Sequence, residues 1–311
     1  VDALKSQGAD AEIEKIPTWS FFELCKIKKK YKNYPDTIYH LQYPSTGMGN
    51  SVAPSLLYFL LKRPIFVTLH EFSIFSILRK MIFFTHSLIA KRIIFTNKWE
   101  SDCFHKYFPF SKNYKTIIPI GNNISVVKNP NPIASKKPKI IYFGQISANK
   151  GIEFFIETVS VLRQKNILFD AAFIGSMLDE NSLIAHEVYE ASKKLKIELI
   201  LNLPSDDVSI VLGQSTIALL AFPDGITEKR GSALACLDHG LTVLTTHTSK
   251  TVSWLRDVTH PIETPIQAAS LISHMIDGDV ITVRNPLLLE EEMQKRDWRH
   301  IALAHVGIYN S

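Results

Sequence analysis

Along most of the chain, short apolar runs alternate with stretches of helical periodicity, the rhythm of successive βα units around a parallel sheet. The rhythm is most regular in the second half. Residues 139–144 read as a buried strand and 151–165 as a helix, with Ile152, Phe155, Ile156, Val159 and Leu162 on one face. A strand over 171–175, a helix over 181–196, a strand over 198–201, a short helix over 206–213 and a strand over 216–222 follow. A helix over 232–239, a strand over 242–246 and helices over 251–257 and 266–276 complete this half. The first half has the same grammar less cleanly. Strands are predicted over 37–42, 65–69, 92–96 and 116–120, with a helix over 51–62 between the first two. Three prolines interrupt the pattern within 125–138, which reads as a linker between two similar domains, 1–134 and 135–290.

Composition narrows the possibilities. The chain has 311 residues, 46% hydrophobic and 21% charged, which excludes disorder and leaves material for two ordinary domains. The net charge of +5 is mild for a protein whose partner is nucleic acid. Its distribution is uneven: residues 1–134 carry 18 basic and 9 acidic side chains, whereas the remainder carries 17 and 21. Cys25, Cys103 and Cys236 lie far apart with no zinc spacing, so a reduced, cytoplasmic compartment and no metal are expected. Val1-Asp2-Ala3-Leu4-Lys5 does not read as a signal peptide. No apolar run approaches the ~20 residues that span a bilayer, so any membrane contact would be peripheral. The segment 19–32 mixes aromatics with five lysines. With Lys62-Arg63 and Arg79-Lys80 it suits the anionic headgroups of an inner-membrane surface, or equally a sheet-covering helix with a solvated basic face.

Open α/β sheets bind ligands beyond the carboxyl ends of their strands, and four such places carry chemistry. Tyr142-Phe143-Gly144-Gln145 runs through a glycine turn to Lys150-Gly151 at the mouth of a helix, which suits a phosphate or a plain turn. The loop from Phe222 to Ser232 holds Asp224, Glu228, Lys229, Arg230 and Gly231 ahead of a helix, a set suited to an anion and to sugar hydroxyls, or to capping alone. His70 and Glu71 end an apolar strand of the other domain, where a histidine is structural as readily as catalytic. Ser45, Thr46 and Gly47 lie in a small-residue loop that would admit a substrate backbone or serve as a connector.

Together these residues resemble glycosyltransferase family 4, the retaining group 1 transferases, over nearly the whole chain. The resemblance rests on Tyr142-Phe143-Gly144 with Lys150-Gly151, on Ile118-Pro119-Ile120-Gly121-Asn122-Asn123, on Thr68-Leu69-His70, and on the helix, Gly240 and strand of 231–244. Asp297-Trp298-Arg299-His300-Ile301-Ala302, before Tyr309, is similar to the family's last helix, so 291–311 is expected to cross back to the first domain. The resemblance implies an α/β GT-B fold, two Rossmann-like domains facing a central cleft. It also implies hexosyl transfer with retention from a nucleotide sugar to a glycan or lipid-linked acceptor of bacterial surface polysaccharide such as lipopolysaccharide, with neither cofactor nor metal. By the same similarity Lys150 holds the donor diphosphate, aided by N–H groups of Gly144, Gly231 and Ser232. Gln145, Asp224 and Arg230 complete the donor side, with His70 and Glu228 as catalytic residues and Ser45, Thr46, Gly47 and Glu71 on the acceptor side.

The chain departs from the family pattern in three places. Gln145 stands where most relatives carry arginine, and Arg230 or Lys229 is the candidate substitute. Of the family's paired glutamates, the second position holds Ala235 and the first Thr227, one residue before Glu228. The chain opens like the end of the helix after the family's first glycine loop, so that some ~20–30 residues of a first βα unit are expected to be missing. Two other classes fit the same outline: a non-catalytic sugar-nucleotide-binding or adaptor protein, and a sugar-nucleotide epimerase. A nicotinamide dehydrogenase is disfavoured, since no G-x-G-x-x-G opens a βαβ unit.

Overall fold

The computed structural model describes residues 1–16, 18–44, 48, 51–111, 116–127, 137–278 and 281–311. Two compact units divide the chain: Val1–Gly121 with Asp297–Ser311, and Asn122–Arg296. The sequence pattern had set these bounds at 134 and 290, and most of the expected linker lies outside the described residues.

The first unit contains α1 (Asp2–Lys5), α2 (Phe21–Lys30), β1 (Tyr39–Tyr43), α3 (Ala53–Leu61), β2 (Ile65–Leu69), α4 (Ile77–Ile89), β3 (Arg92–Phe95), α5 (Lys98–Tyr107) and β4 (Thr116–Ile117). Its sheet is parallel in the order β1-β2-β3-β4. β2 is buried at every position, as a parallel strand covered on both faces must be. Ile65, Val67, Leu69, Ile93 and Phe95 share a core with Leu57, Phe83 and Phe104 from α3, α4 and α5. The spacing did not pick out α4 or α5. Serine caps α4 through the Arg79 N–H, and α5 starts at Asn97, whose side chain accepts from the Glu100 N–H. The apolar stripe of α4 lies on its outer side, whereas its buried side holds Lys80, His86 and Ser87 beside Phe83, the reverse of the usual pattern.

The second unit is built from β5 (Lys139–Ile146), α6 (Ile152–Gln164), β6 (Asp170–Met177), α7 (Leu183–Leu195), β7 (Ile197–Leu201), α8 (Ser205–Gly213) and β8 (Ile217–Leu220). It continues with α9 (Gly231–Asp238), β9 (Thr242–Thr245), α10 (Ser253–Val258), β10 (His260–Pro261), α11 (Pro265–Asp277) and α12 (Pro286–Gln294). Each strand and helix predicted here is present within a few residues, and β10 and α12 are additions. All six strands are parallel, in the order β7-β6-β5-β8-β9-β10. The chain starts in the middle, winds outward to β7, then returns past β5 to wind the other way. This is the doubly wound Rossmann order, whose switch point lies between β5 and β8.

The last helix, α13 (Trp298–Tyr309), belongs to the first unit. Asp297 caps it, its carboxylate accepting from the Arg299 and His300 N–H groups. Ile301 packs with Ile94 and Ile118, and the Tyr309 ring meets Phe66 edge-on at 5.1 Å. Alternate residues of β2 and β3 therefore face α13 and the α3–α5 layer, the period of two expected of strands.

Candidate functional site

The donor-side residues chosen from sequence lie at the switch point of the second unit. Gly144 follows the core of β5 with φ +151°, and a Cβ there would come 3.8 Å from Ser232 Oγ at the start of α9. Gly144 pairs with Gly175 on β6, where a Cβ would fall 1.8 Å from the Gly144 carbonyl oxygen. Gly175 was missed by sequence reasoning, although its apolar run ending in Gly-Ser mirrors the one ending in Gly144-Gln145. Gly151 caps α6 in the left-handed region at φ +80°, and a Cβ would sit 2.1 Å from the Ala221 carbonyl oxygen. Only glycine permits the approaches at Gly151 and Gly175, and the one at Gly151 brings the β5–α6 turn against the segment leaving β8.

α9 has no side-chain cap. The Gly231 N–H, expected to face the donor, instead donates to the Lys229 carbonyl at 3.1 Å, because the turn entering the helix closes on itself. The Ser232 and Ala233 N–H groups remain without an acceptor among the described residues. Arg230 precedes them with its guanidinium stacked over the Phe222 ring at 4.7 Å. Lys150 is half-buried. Neither cation has a carboxylate partner among the described residues. Gln145 is exposed, and its carbonyl accepts from the Tyr142 hydroxyl at 3.0 Å. A helix N-terminus with free N–H groups and cations without carboxylate partners among the described residues are features that suit an anion by both charge and dipole.

The carboxylates of this loop behave differently from each other. Asp224 is exposed and, among the described residues, tied only through its backbone carbonyl, which accepts from Thr248 Oγ1 at 3.2 Å. Glu228 is engaged. Its Oε1 accepts from Arg296 Nη2 at 2.8 Å and from Trp254 Nε1 at 3.1 Å, while Arg296 stacks over the Trp254 ring at 4.5 Å. Arg296 is only 3% exposed and also binds Glu292 Oε2 at 2.7 Å. Lys295 and Arg296 together hold the Glu292 carboxyl below the usual carboxylate range against the opposing effect of burial. Glu228 thus fastens its loop to Trp254 of α10 and to Arg296 just past α12, a role that no local sequence signal announces.

In the first unit His70 ends β2. Its backbone N–H donates to the Tyr43 carbonyl, and its Nε2 lies 2.8 Å from Gln42 Oε1 on β1. Beneath them His40 contacts Thr68 Oγ1 at 2.8 Å through Nε2 and the Tyr309 hydroxyl through Nδ1. Burial pushes the His40 pKa down to about 3, with His305 and His70 adding positive field, so this imidazole is neutral near pH 7. The loop after His70 is fixed by Glu100, a fully buried carboxylate that accepts from the Phe72 and Ser73 N–H groups at 2.6 and 2.8 Å and from Ser73 Oγ at 2.8 Å. The capping pattern Asn97-x-x-Glu100 was its only signal. Glu71 is half-buried. Ser45, Thr46 and Gly47 lie outside the described residues. Among the described residues no group of three His, Cys, Asp or Glu is placed to hold a metal ion, and no helix is long and apolar enough to cross a membrane.

The basic surface also needs correction. Lys80 is not at a headgroup-facing surface: it is buried, donating to the Ser73 carbonyl at 3.2 Å with its ammonium over the Tyr107 ring. Trp19 is buried too, and Arg79 stacks on Phe75 at 4.2 Å.

No protein-family model matches the sequence, and no match to a curated protein is found. Solved structures do match. A glycosyltransferase from Rickettsia africae superposes with a TM-score of 0.74 at 14% identity, over 99% of this chain and 86% of that one. HepE of Anabaena in complex with UDP gives 0.70 at 12%, over 92% and 81%. Sucrose-phosphate synthase from Thermosynechococcus elongatus gives 0.61 at 14%, over 96% and 81%. At these identities the likeness is one of fold. An α/β chain with two parallel sheets that matches such structures along its length has the GT-B fold of glycosyltransferases.

Proposed function

We propose that the chain is a retaining glycosyltransferase of the hexosyl type. It moves a sugar from a UDP-linked donor to a glycan or lipid-linked acceptor in bacterial surface polysaccharide synthesis, without a metal, at the cytoplasmic face of the membrane. The observation that carries the reading is at the β5/β8 switch point, where Gly144 lies against Ser232 at the uncapped start of α9 and where Lys150, ahead of α6, and Arg230, ahead of α9, have no carboxylate partner among the described residues. HepE of Anabaena, which shares the fold, has been solved with UDP and with UDP-glucose, and this supports uridine as the base. In the reaction the bond between the anomeric carbon and the diphosphate oxygen breaks, and its electron pair stays on the nucleoside diphosphate. The acceptor oxygen forms the new bond to the anomeric carbon, and its proton passes to the departing diphosphate oxygen. Cations and helix N–H groups already aimed at the diphosphate stabilise the charge as it develops, and the sugar passes through an oxocarbenium-like state. Asp224, with an open carboxylate, is the better placed hydroxyl contact, and Glu228 keeps only its second oxygen for the purpose. His70, set by Gln42, serves the acceptor side.

One observation favours a second reading. Glu228 is tied to Arg296, and Gln145 replaces a cation, as in a protein that binds nucleotide sugar without transferring it. Thermal unfolding with UDP-, GDP-, ADP- and CMP-sugars tests the first step. Saturating UDP-sugar at about a hundred times Kd stabilises the native state by about 2.7 kcal/mol, and Lys150→Ala with Arg230→Ala should abolish the shift. No shift with any nucleotide, or a shift indifferent to both substitutions, removes the donor site. A normal shift without release of UDP to any acceptor leaves the binding protein.

A further inference from the structure

The helical layer of the first unit has an outer side that folding leaves uncovered. α2 packs beside α3, and α3 beside α4. Their inner faces supply the core, yet Phe59 of α3 is 63% exposed and Leu78 and Met81 of α4 are 70% and 54% exposed. Phe84 and Leu88 continue the stripe along α4. The positions 78, 81, 84 and 88 are spaced by three and four, one face of a helix, so the exposure is an organised ridge and not scatter. Monomeric proteins seldom leave so continuous an apolar surface to water.

The charges around the ridge say what covers it. α3 and α4 run from one strand to the start of the next, and α2 leads to the start of β1. Their C-terminal ends are therefore gathered at the same edge of the sheet. Lys28 and Lys29 stand at the end of α2, Lys62 and Arg63 at the end of α3, and Lys91 follows α4. Lys26 and Lys30 are already neutralised by Glu23 and Glu14, whereas Lys28 and Lys29 have no carboxylate partner among the described residues. A second copy seated on this face by a two-fold axis would share the same basic fringe and set like charges near each other. An anionic bilayer offers the complement of both features, acyl chains for the ridge and headgroup charge for the fringe.

We propose that the outer face of α3 and α4, fringed by the lysines at the ends of α2, α3 and α4, beds into an anionic lipid surface. The proposal deepens the membrane part of the function above, but it needs neither donor nor turnover. Flotation of the whole chain with phosphatidylcholine vesicles, with and without phosphatidylglycerol, tests it. The protein binds the anionic vesicles and is released by salt. Leu78→Glu with Met81→Glu lowers the bound fraction roughly tenfold or more, and Lys28→Glu with Lys29→Glu weakens binding at low salt and flattens the salt dependence. Both pairs are on exposed positions, so thermal unfolding checks that they fold, and the UDP-sugar shift of the Leu78 and Met81 variant stays at the wild-type value. Absence of vesicle binding, or equal binding by the Leu78 and Met81 variant, overturns the proposal while leaving the donor site standing. A dimer in sedimentation velocity that the same variant splits, with no vesicle binding, overturns it in favour of a second copy.

Discussion

Replacing Glu228 by alanine separates a structural carboxylate from a catalytic one. The substitution removes the acceptor of two donors, Arg296 Nη2 at 2.8 Å and Trp254 Nε1 at 3.1 Å. Arg296 is 3% exposed, and its Nε already lacks a partner among the described residues. Deleting one member of a buried ion pair costs about 3–5 kcal/mol, most of it the charge left behind. Here Glu292 still binds Arg296 and Glu228 is itself 18% exposed, which brings the expected loss to about 2–3 kcal/mol. At about 2–4 °C per kcal/mol for a unit of this size, the melting temperature falls by roughly 4–12 °C. Glu228→Gln keeps an oxygen for both donors and loses only the charge, about 1–2 kcal/mol. Glu228→Ala combined with Arg296→Met recovers part of the loss, since no charge is then stranded, and the cycle reports a coupling of about 1–3 kcal/mol. Thermal unfolding of the wild type, Glu228→Gln, Glu228→Ala, Arg296→Met alone and the double variant, with UDP release measured alongside, gives every term. A Glu228→Ala protein that melts with the wild type yet has lost turnover would refute the latch and return Glu228 to the sugar site.

Three further outcomes follow from the geometry. Glu100→Gln weakens three hydrogen bonds to one buried carboxylate and should lower the urea midpoint by the equivalent of about 1.5–3 kcal/mol without changing m; an unchanged midpoint contradicts the assignment. Gly175→Ala places a methyl 1.8 Å from the Gly144 carbonyl oxygen and should lose more than about 2 kcal/mol together with UDP binding. Gly307→Ala in α13, with nothing within 4 Å, should gain about 0.5–1 kcal/mol, and equal effects at the two sites would discredit the close approach. Burial lowers the pKa of His40 to about 3 and of His86 to about 4, and lowers that of His305. The unfolded chain then binds more protons than the native one from about pH 6.5 downward, so stability falls as pH falls through that window, by up to ~1.4 kcal/mol per pH unit for each group. Urea midpoints between pH 7.5 and 5 should show this slope, and His40→Gln with His86→Gln should flatten it; equal slopes would refute the burial argument.

The second unit could be traced from the sequence because a doubly wound sheet imposes its own pattern. Strands covered on both faces are apolar throughout, helices covered on one face carry a single stripe, and Gly151 marks where chain must approach chain. α4 escaped the same logic because its apolar residues Leu78, Met81 and Leu88 point outward while Lys80, His86 and Ser87 are buried, so its stripe does not mark a core-facing side. Buried polar groups escaped for another reason. Glu100 meets Ser73 across 27 positions and Arg296 meets Glu228 across 68, and no local spacing encodes such pairs. The loop from Asp224 to Arg230 shows the consequence. From sequence Glu228 was the first choice for the sugar hydroxyls, with Asp224 in reserve, whereas the structure satisfies Glu228 from within and leaves the guanidinium of Arg230 against an aromatic ring, with no carboxylate partner for Arg230 or Lys150 among the described residues. Where a helix dipole and cations have no opposing charge among the described residues, that charge is left for a ligand to supply, and for this reason the proposed donor site rests on the side chains still unsatisfied after folding and not on the most ionisable ones.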